Sequence, residues 1–305
     1  MTAPADPALF AATPAGSAVL LDAVRSAPNV QLLIGRSVTD ITDAEDHAEV
    51  TFESVDGTRQ SLRTPLLVGA DGVRSTLRPL IGDGDTPRFR NFEAWRCVVP
   101  ARAVPAALAV RQSMLWLGPG AHIVHYPVAG GDAWNVVVIV RAKNAADGWG
   151  LPMERDRFDA LVNSLSAPGL ADLRALLLAG ENWRLWSLHD ALPTVRWSQR
   201  HATLLGDAAH AVLPFLAQGG ALAIEDAAVL VKSLAAHPGN TPAALAAYEE
   251  ERYPRVRRVF EEARANSRAF HFSGVIGLVR DILLTRWSGE RFSARYDWLY
   301  GWRPD

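Results

Sequence analysis

The stretch from Ala202 to Leu234 constrains the fold of this chain more than any other part of the sequence. Thr203 to Leu205 form a short apolar run that ends in Gly206-Asp207, and this pattern predicts a buried strand that stops at a turn. Further on, Gly219-Gly220 open a run rich in Ala, Leu, Ile and Val that is apolar on most faces. Such a run predicts a helix buried inside the protein rather than one lying on its surface.

The polar groups expected around this turn indicate a binding site. The carboxylate of Asp207 can accept hydrogen bonds from sugar hydroxyls, and glycine at the helix start leaves no side chain to block a ligand. Backbone N–H groups at Gly219 and Gly220, together with the helix dipole, favour negative charge nearby. Glycine-rich turns are common, however, and spacing alone leaves a helix-start turn with an acidic cap as an equal alternative.

The identity of the residues favours the binding site. The sequence GDAAHAVLPFLAQGGALAIEDAAVL, which starts at Gly206, resembles the second flavin-binding motif of the FAD-dependent aromatic hydroxylases (class A flavoprotein monooxygenases), and in particular their salicylate-hydroxylase-like branch. The resemblance implies that Pro214 lies close to the reactive flavin edge, which makes it a candidate catalytic residue as well. The cofactor-binding residues implied here are Gly206, Asp207, Pro214, Gln218, Gly219, Gly220 and Ala221.

A second motif, LVGADGVRSTLR from Leu67 to Arg78, again places a short apolar strand before an acidic turn. Taken alone, it fits a tight turn followed by solvated arginines. It also resembles the DG motif of the same family, which lies near the flavin pyrophosphate and the transient nicotinamide site. The resemblance assigns Asp71, Gly72 and Arg74 to cofactor binding. Ser75 is predicted to cap the helix that follows.

The third motif is the predicted strand from His122 to Val128. Alternation puts His122 and Tyr126 on one face of the strand and His125 on the other. The motif resembles the family strand that covers the flavin ring and directs a His and a Tyr at the substrate. A base of near-neutral pKa would help a phenol react as its phenolate. His122 and Tyr126 are the predicted catalytic residues, with His125 in reserve; the alternative is that the histidines are half-buried strand residues.

The order of elements predicts how the chain is divided. Helix and strand alternate at first, strands dominate from about Phe89 to Leu188, and helices follow Ala202. Val30 to Ile34 is predicted as a short strand and Thr39 to Phe52 as a hairpin. The many charges of the last long helix, which starts at Pro242, are expected on a solvated face.

Order and resemblance together imply a mixed α/β fold (α+β mixed) of discontinuous domains. An incomplete Rossmann-like FAD-binding domain is expected from residues 1–87 and 190–305. A mostly antiparallel β-sheet substrate domain is expected as an insert at residues 88–189, and helices end the chain.

Composition narrows the function classes. A net charge of −2 gives no reason to expect nucleic acid or an anionic membrane as a partner. The single cysteine, Cys97, excludes an intrachain disulfide framework and a cysteine-cluster metal site, and no metal is predicted. No apolar run is long enough to span a bilayer, and the N-terminal residues lack the pattern of a secretion signal. A cytoplasmic protein is expected.

The sequence departs from the family pattern at its start. It contains no GxGxxG, the glycine fingerprint that opens the dinucleotide-binding unit. FAD binding by the chain alone is therefore expected to be weak or absent. Three interpretations stay open: an N-terminally truncated hydroxylase that uses FAD, NAD(P)H and O₂ on a small phenolic or heteroaromatic acid, an inactive remnant that acts as an interaction protein, or one half of a split flavoenzyme. A partner chain that supplies the missing unit and a homodimer are the protein partners considered.

Overall fold

The structure of the protein is a computed structural model that describes residues 14–82, 86–193, 196–286 and 294–304. The chain divides into two compact units. The first contains residues 1–88, 189–266 and 289–305, and the second contains residues 89–188 and 267–288. The mixed α/β class with antiparallel sheets, expected from the sequence, is confirmed.

The helices and strands of the described residues are numbered here in chain order. The helices are α1 Pro14–Ser26, α2 Arg78–Ile81, α3 Arg155–Ser164, α4 Ala171–Leu178, α5 Asp207–His210, α6 Gly219–Ala236, α7 Thr241–Ala269, α8 Gly274–Arg286 and α9 Asp297–Tyr300. The strands are β1 Arg36–Asp43, β2 Ala48–Ser54, β3 Arg59–Thr64, β4 Leu67–Gly69, β5 Arg88–Pro100, β6 Met114–Gly118, β7 Ala121–Val128, β8 Ala133–Arg141, β9 Leu151–Pro152, β10 Arg184–Asp190 and β11 Ala202–Leu204.

Two sheets belong to the first unit. Strands β1, β2 and β3 pair antiparallel in sequence order, which confirms the predicted hairpin. Strands β4 and β11 pair in parallel, with Ala202 opposite Leu67 and Leu204 opposite Gly69. Because parallel strands point the same way, this register aligns their carboxyl ends. The two acidic turns that follow β4 and β11 therefore lie at one edge of the sheet.

The prediction of a strand at Val30–Ile34 is wrong. These residues form no strand, and Ile34 is 77% exposed. A strand needs a neighbour that satisfies its backbone N–H and C=O groups, and an apolar run carries no information about that neighbour. None of the described strands pairs with this run.

Helices α6 and α7 form the helical part of the first unit. Leu222 and Val229 of α6 and Val256 of α7 are fully buried. The expectation that the charges of α7 lie on a solvated face is wrong for Arg252 and Arg255, which are 0% and 7% exposed. Both arginines are buried because α6 supplies carboxylates for them to pair with.

The second unit contains a six-stranded antiparallel sheet with the strand order β6-β7-β8-β5-β10-β9. One face packs with α3 and α4 around a cluster of buried apolar side chains, and we call it the apolar face. Cys97, Val136 and Met114 lie on this face. Successive side chains of a strand alternate between the two faces, so Arg96 and Val137 lie on the other one. We call that side the polar face.

Candidate functional site

The turn after β11 is built around Gly206. Its φ of 61° lies in the left-handed region, and a Cβ at this position would lie 3.0 Å from the Cβ of Ala223. Glycine is therefore needed both for the backbone conformation and for the close approach to α6. The Gly206 N–H donates to Oδ2 of Asp226 at 2.9 Å, which ties the turn to α6.

Asp207 starts α5 beside the N-terminus of α6. Its Oδ1 lies 3.7 Å from the position that a Cβ would take on Gly219. The structure thus brings together the acidic residue and the glycine that the sequence motif contains. The Asp207 side chain is exposed, but partial desolvation by the surrounding protein raises the pKa of its carboxyl group, with His210 opposing the shift.

The start of α6 leaves backbone donors for a ligand. The first N–H groups of a helix have no partner within it, and the Gln218 side chain does not cap this helix. Gln218 is buried, and its Nε2 donates instead to the preceding turn at 3.3 Å. That turn begins at Pro214. Gly219 and Gly220 are half-buried and Ala221 is buried, so the helix end is small and partly open.

Asp226 is the centre of a buried ionic network behind this turn. Its Oδ2 accepts a hydrogen bond from Nε2 of His210 at 2.6 Å, and its Oδ1 accepts one from Nε of Arg252 at 2.7 Å. All three side chains are at most 1% exposed. Burial alone would raise the pKa of Asp226, but His210 and Arg252 outweigh it and hold the pKa below its ordinary value. The network fastens α5, α6 and α7 together through contacts between residues far apart in the sequence.

The acidic turn after β4 is closed by its own side chains. Oδ2 of Asp71 accepts from the backbone N–H of Thr76 at 2.8 Å and from that of Leu77 at 3.3 Å. Gly72 has a φ of 78°, which glycine adopts without strain. Oγ of Ser75 accepts from the N–H of Arg78, the first residue of α2, at 2.8 Å, but the N-cap position is Leu77, so the prediction that Ser75 is the N-cap is wrong. Asp71 therefore shapes the turn, whatever else it binds.

Arg78 connects the two motifs. It is 3% exposed, and its guanidinium donates to the carbonyl oxygens of Ala208 at 3.0 Å and Ala209 at 2.5 Å. A third bond, at 2.9 Å, goes to the carbonyl oxygen of Leu192. The interpretation of the motif's arginines as solvated is wrong for Arg78, whereas Arg74 is exposed. The three carbonyl oxygens that accept from Arg78 lie more than a hundred residues away in the sequence, and no local pattern could have identified them.

His122 is buried on the polar face of the second unit. Its Nδ1 lies 3.2 Å from Nε2 of His271, and the ring of Phe270 meets it edge-on at 5.3 Å between centroids. Nδ1 of His271 in turn donates to the carbonyl oxygen of Ser267 at 2.8 Å. Burial, with the charge of His271 as a second cause, lowers the pKa of His122 to about 3. A pKa this low makes the imidazole a much weaker base than the near-neutral one that the sequence predicted.

The other residues of this strand lie as alternation predicts. Tyr126 is half-buried on the polar face, opposite Asn135 of β8. His125 is fully buried on the apolar face, stacked on Trp116 with 6.3 Å between ring centroids. Neither ring nitrogen of His125 has a hydrogen-bond partner among the described residues, and burial lowers its pKa. His125 is a histidine of the apolar core, more deeply buried than the half-buried strand residue of the alternative interpretation.

Within the described ranges, no group of three or more His, Cys, Asp or Glu side chains could hold a metal ion. No helix in the same ranges is long and apolar enough to cross a membrane.

Comparison with known proteins identifies what this geometry resembles. A family model described as an FAD binding domain matches residues 9–263. The 3-hydroxybenzoate 6-hydroxylase of Klebsiella oxytoca is 35% identical over 291 residues, which cover 94% of this chain and 70% of that protein. The salicylate hydroxylase of Pseudomonas putida is 30% identical over 291 residues, which cover 87% of this chain and 64% of that protein.

Solved structures show the same likeness. Klebsiella pneumoniae HpxO in complex with FAD and uric acid superposes with a TM-score of 0.70 and 28% identity, over 85% of this chain and 64% of that one. A substrate complex of salicylate hydroxylase superposes with a TM-score of 0.73 and 22% identity, over 94% of this chain and 72% of that one, and it bears on the fold alone. The chain spans 64% to 72% of the length of these four proteins.

Proposed function

The chain belongs to the FAD-dependent aromatic hydroxylases, and from that premise we propose that it hydroxylates a small phenolic or heteroaromatic acid with FAD, NAD(P)H and O₂. One observation carries the proposal. The parallel pairing of β4 with β11 brings the two acidic turns to one sheet edge, and Asp207 lies there beside the N-terminus of α6. Ligands of open parallel sheets bind outside the carboxyl ends of the strands.

The residues at this edge fit the ribityl and ring side of FAD. The exposed carboxylate of Asp207 would accept hydrogen bonds from ribityl hydroxyls, and the N–H groups of Gly219 and Gly220 would donate to an electron-rich ring oxygen. Arg78 would hold the two turns in register without touching the cofactor. The pyrophosphate end has no GxGxxG in this sequence to hold it.

The substrate side is proposed on the polar face of the second unit. FAD, when bound, supplies the redox chemistry that activates O₂. With its pKa lowered to about 3, His122 would act as a neutral hydrogen-bond partner that aligns the substrate hydroxyl. Tyr126, on the same face, would fix the orientation of the ring. Pro214 would line the reactive edge.

The substrate class follows the relatives. Their names specify 3-hydroxybenzoate, 3-amino-4-hydroxybenzoate and salicylate as substrates. All three are small aromatic acids with a ring hydroxyl, and we extend that class, not a single compound, to this chain. The use of NAD(P)H is part of the proposal, on the resemblance of the turn around Asp71 and Arg74 to the family's DG motif. The interpretations as an inactive remnant or as half of a split enzyme gain no support from these matches.

A titration with FAD tests the cofactor site first. Flavin fluorescence is followed with the chain alone and with the chain fused to the N-terminal GxGxxG segment of a relative. Weak or absent binding is expected for the chain alone and tight binding for the fusion. Hydroxylated product is then sought by mass spectrometry with 3-hydroxybenzoate and salicylate. A fusion that binds FAD but yields no hydroxylated aromatic acid would overturn the proposal.

His122→Ala in the same fusion tests the substrate face. Coupled hydroxylation should fall by roughly 2- to 13-fold, the equivalent of one neutral hydrogen bond of about 0.5–1.5 kcal/mol, because the bond that aligns the substrate hydroxyl is lost. Flavin reduction should survive, because hydride delivery needs no group on β7. Equal loss of both activities would make His122 a structural residue.

A further inference from the structure

Arg96 is a cation without a described partner on the polar face. It lies in β5, paired with Val137 of β8. Its Nε is buried, and no described residue accepts a hydrogen bond from it. The Arg96 side chain as a whole is half-buried. A buried N–H group without an acceptor costs free energy, and an acceptor from outside the chain would satisfy it.

The carboxylate nearest in the same strand is already used. Glu93 is 2% exposed, and its Oε2 accepts from the guanidinium of Arg157 at 2.5 Å and from Nε1 of Trp95 at 3.3 Å. By alternation, Glu93 shares the apolar face with Trp95, whereas Arg96 lies on the polar face. Strand β5 thus carries Glu93, whose hydrogen-bond partners come from the chain, and Arg96, whose Nε has no acceptor among the described residues.

The surroundings of Arg96 favour a flat, anionic ligand. Its guanidinium carbon lies 5.6 Å from the centre of the Trp186 ring. Contact with an aromatic face orients the guanidinium plane and leaves its edge donors available for a bidentate bond to a carboxylate. Tyr126 is close enough to act electrostatically on Arg96.

Strand register places Arg96 across from the predicted substrate residues. Arg96 pairs with Val137, and Val137 pairs with Val124 of β7. Val124 lies between His122 and Tyr126, all on the polar face. Two strand spacings separate β5 from β7, roughly 10 Å. An aromatic acid that contacted both Arg96 and the residues of β7 would have to bridge this distance above Val137 of β8.

We propose that Arg96 binds the carboxylate of the aromatic acid whose ring hydroxyl is held by His122 and Tyr126. The inference rests on the proposed function and deepens it, since it assigns the residue that selects acids over neutral phenols. A guanidinium–carboxylate pair is strong where water is largely excluded. The site therefore prefers a hydroxybenzoate to the corresponding phenol without a carboxylate.

Direct binding tests this selection without relying on turnover. Calorimetric titrations compare 3-hydroxybenzoate with phenol on the wild-type protein, Arg96→Gln, Arg96→Lys and the exposed control Arg102→Gln. Arg96→Gln should weaken 3-hydroxybenzoate binding at least tenfold and leave phenol binding unchanged. Arg96→Lys should retain part of the affinity, because a lysine supplies charge without the bidentate geometry. Arg102→Gln should behave as the wild type.

Thermal unfolding separates ligand binding from a structural role. Arg96→Met removes the charge and keeps the aliphatic length, so the Tm of the ligand-free protein should be unchanged or higher, and added 3-hydroxybenzoate should raise the wild-type Tm only. A lower Tm with equal loss of both ligands would make Arg96 structural and overturn the inference. Equal affinity of wild type and Arg96→Gln for 3-hydroxybenzoate would overturn the inference and leave the proposed hydroxylase standing. A wild type that binds neither ligand, even as the FAD-loaded fusion, would overturn both.

Discussion

The Asp226 carboxylate of the first unit is buried and the Arg96 side chain of the second unit is half-buried, and the two charged groups differ in how they are satisfied. Asp226 accepts hydrogen bonds from the imidazole of His210, the guanidinium of Arg252 and the N–H of Gly206. Nε of Arg96 has no acceptor among the described residues. The first group is completed by the fold, and the second is left for a ligand.

This difference in partners distinguishes charged residues that hold the fold together from charged residues that are available to bind a ligand. A buried charge is tolerated only when partners replace the water that it loses. Where the chain supplies several partners to a buried charge, as at Asp226, substitution should damage folding. Where it does not, as at Arg96, substitution should damage binding and spare or improve stability. Asp207, exposed beside Gly219, belongs with Arg96 in this division.

The largest expected effect is on the completed network. Asp226→Ala should lower the free energy of unfolding by roughly 3–5 kcal/mol, because Arg252 and His210 lose their shared buried partner. Urea unfolding followed by circular dichroism measures the change. Such a loss is a large part of the stability of an ordinary domain. A sharply reduced soluble yield of the variant would therefore also support the prediction.

Asp207→Ala is the matched control, since it removes a carboxylate on an adjacent element that is exposed rather than buried. Its free energy of unfolding should stay within about 0.5 kcal/mol of the wild type, as for most surface substitutions. If both variants lost equal stability, the division between scaffold and site would fail in the first unit.

Much of the fold could be predicted because its signals are local. Strands β7 and β8 are rich in β-branched and aromatic residues, and α6 is a long, mostly apolar run with glycines at its start. The run at Val30–Ile34 has the same local signal as a strand but no described neighbour to pair with. Alternation also assigned His122 and His125 to opposite faces correctly.

The site was only half accessible to sequence reasoning, because its remaining contacts are long-range. Arg78 meets its acceptors across more than a hundred residues, and His271 reaches His122 across 149. Arg252 was expected in solvent because its own helix is charged, and the carboxylate that buries it comes from α6. Arg96 lies among Trp and Val in an apolar-looking strand, and only the absence of a partner identifies it.

The second effect concerns cofactor retention. In a form of the protein that binds FAD, Asp207→Ala should weaken binding because its hydrogen bonds to sugar hydroxyls are lost. Bonds to a charged acceptor are worth roughly 1.5–3 kcal/mol each, or about 10- to 150-fold in Kd. Fluorescence titration measures the change. Unchanged retention by the folded variant would remove Asp207 from the cofactor site.

The smallest expected effect is an acid sensitivity that arises from the buried histidines of the second unit. Burial lowers the pKa of His122 to about 3, against an ordinary value near 6.5. Burial also lowers the pKa of its neighbour His271, and the charge of Arg141 contributes to that shift. Below the ordinary pKa the unfolded chain takes up protons that the folded chain does not. Stability is therefore complete above that pH and falls as the pH decreases toward 3, with His122 contributing about 1.4 kcal/mol per pH unit.

His122→Asn tests that assignment, because it removes one titrating imidazole from the pair with His271. Urea unfolding at about pH 7 and about pH 5 should give a smaller difference in free energy for the variant than for the wild type, by roughly one proton's contribution. His47→Asn, at an exposed hairpin turn paired with Asp46, provides a control outside the second unit. If His122→Asn and the wild type lost the same stability on acidification, His122 would be accessible to protons in the folded state. His122 would then resemble the exposed Asp207 in its access to solvent, and would not be a buried residue shielded by its neighbours.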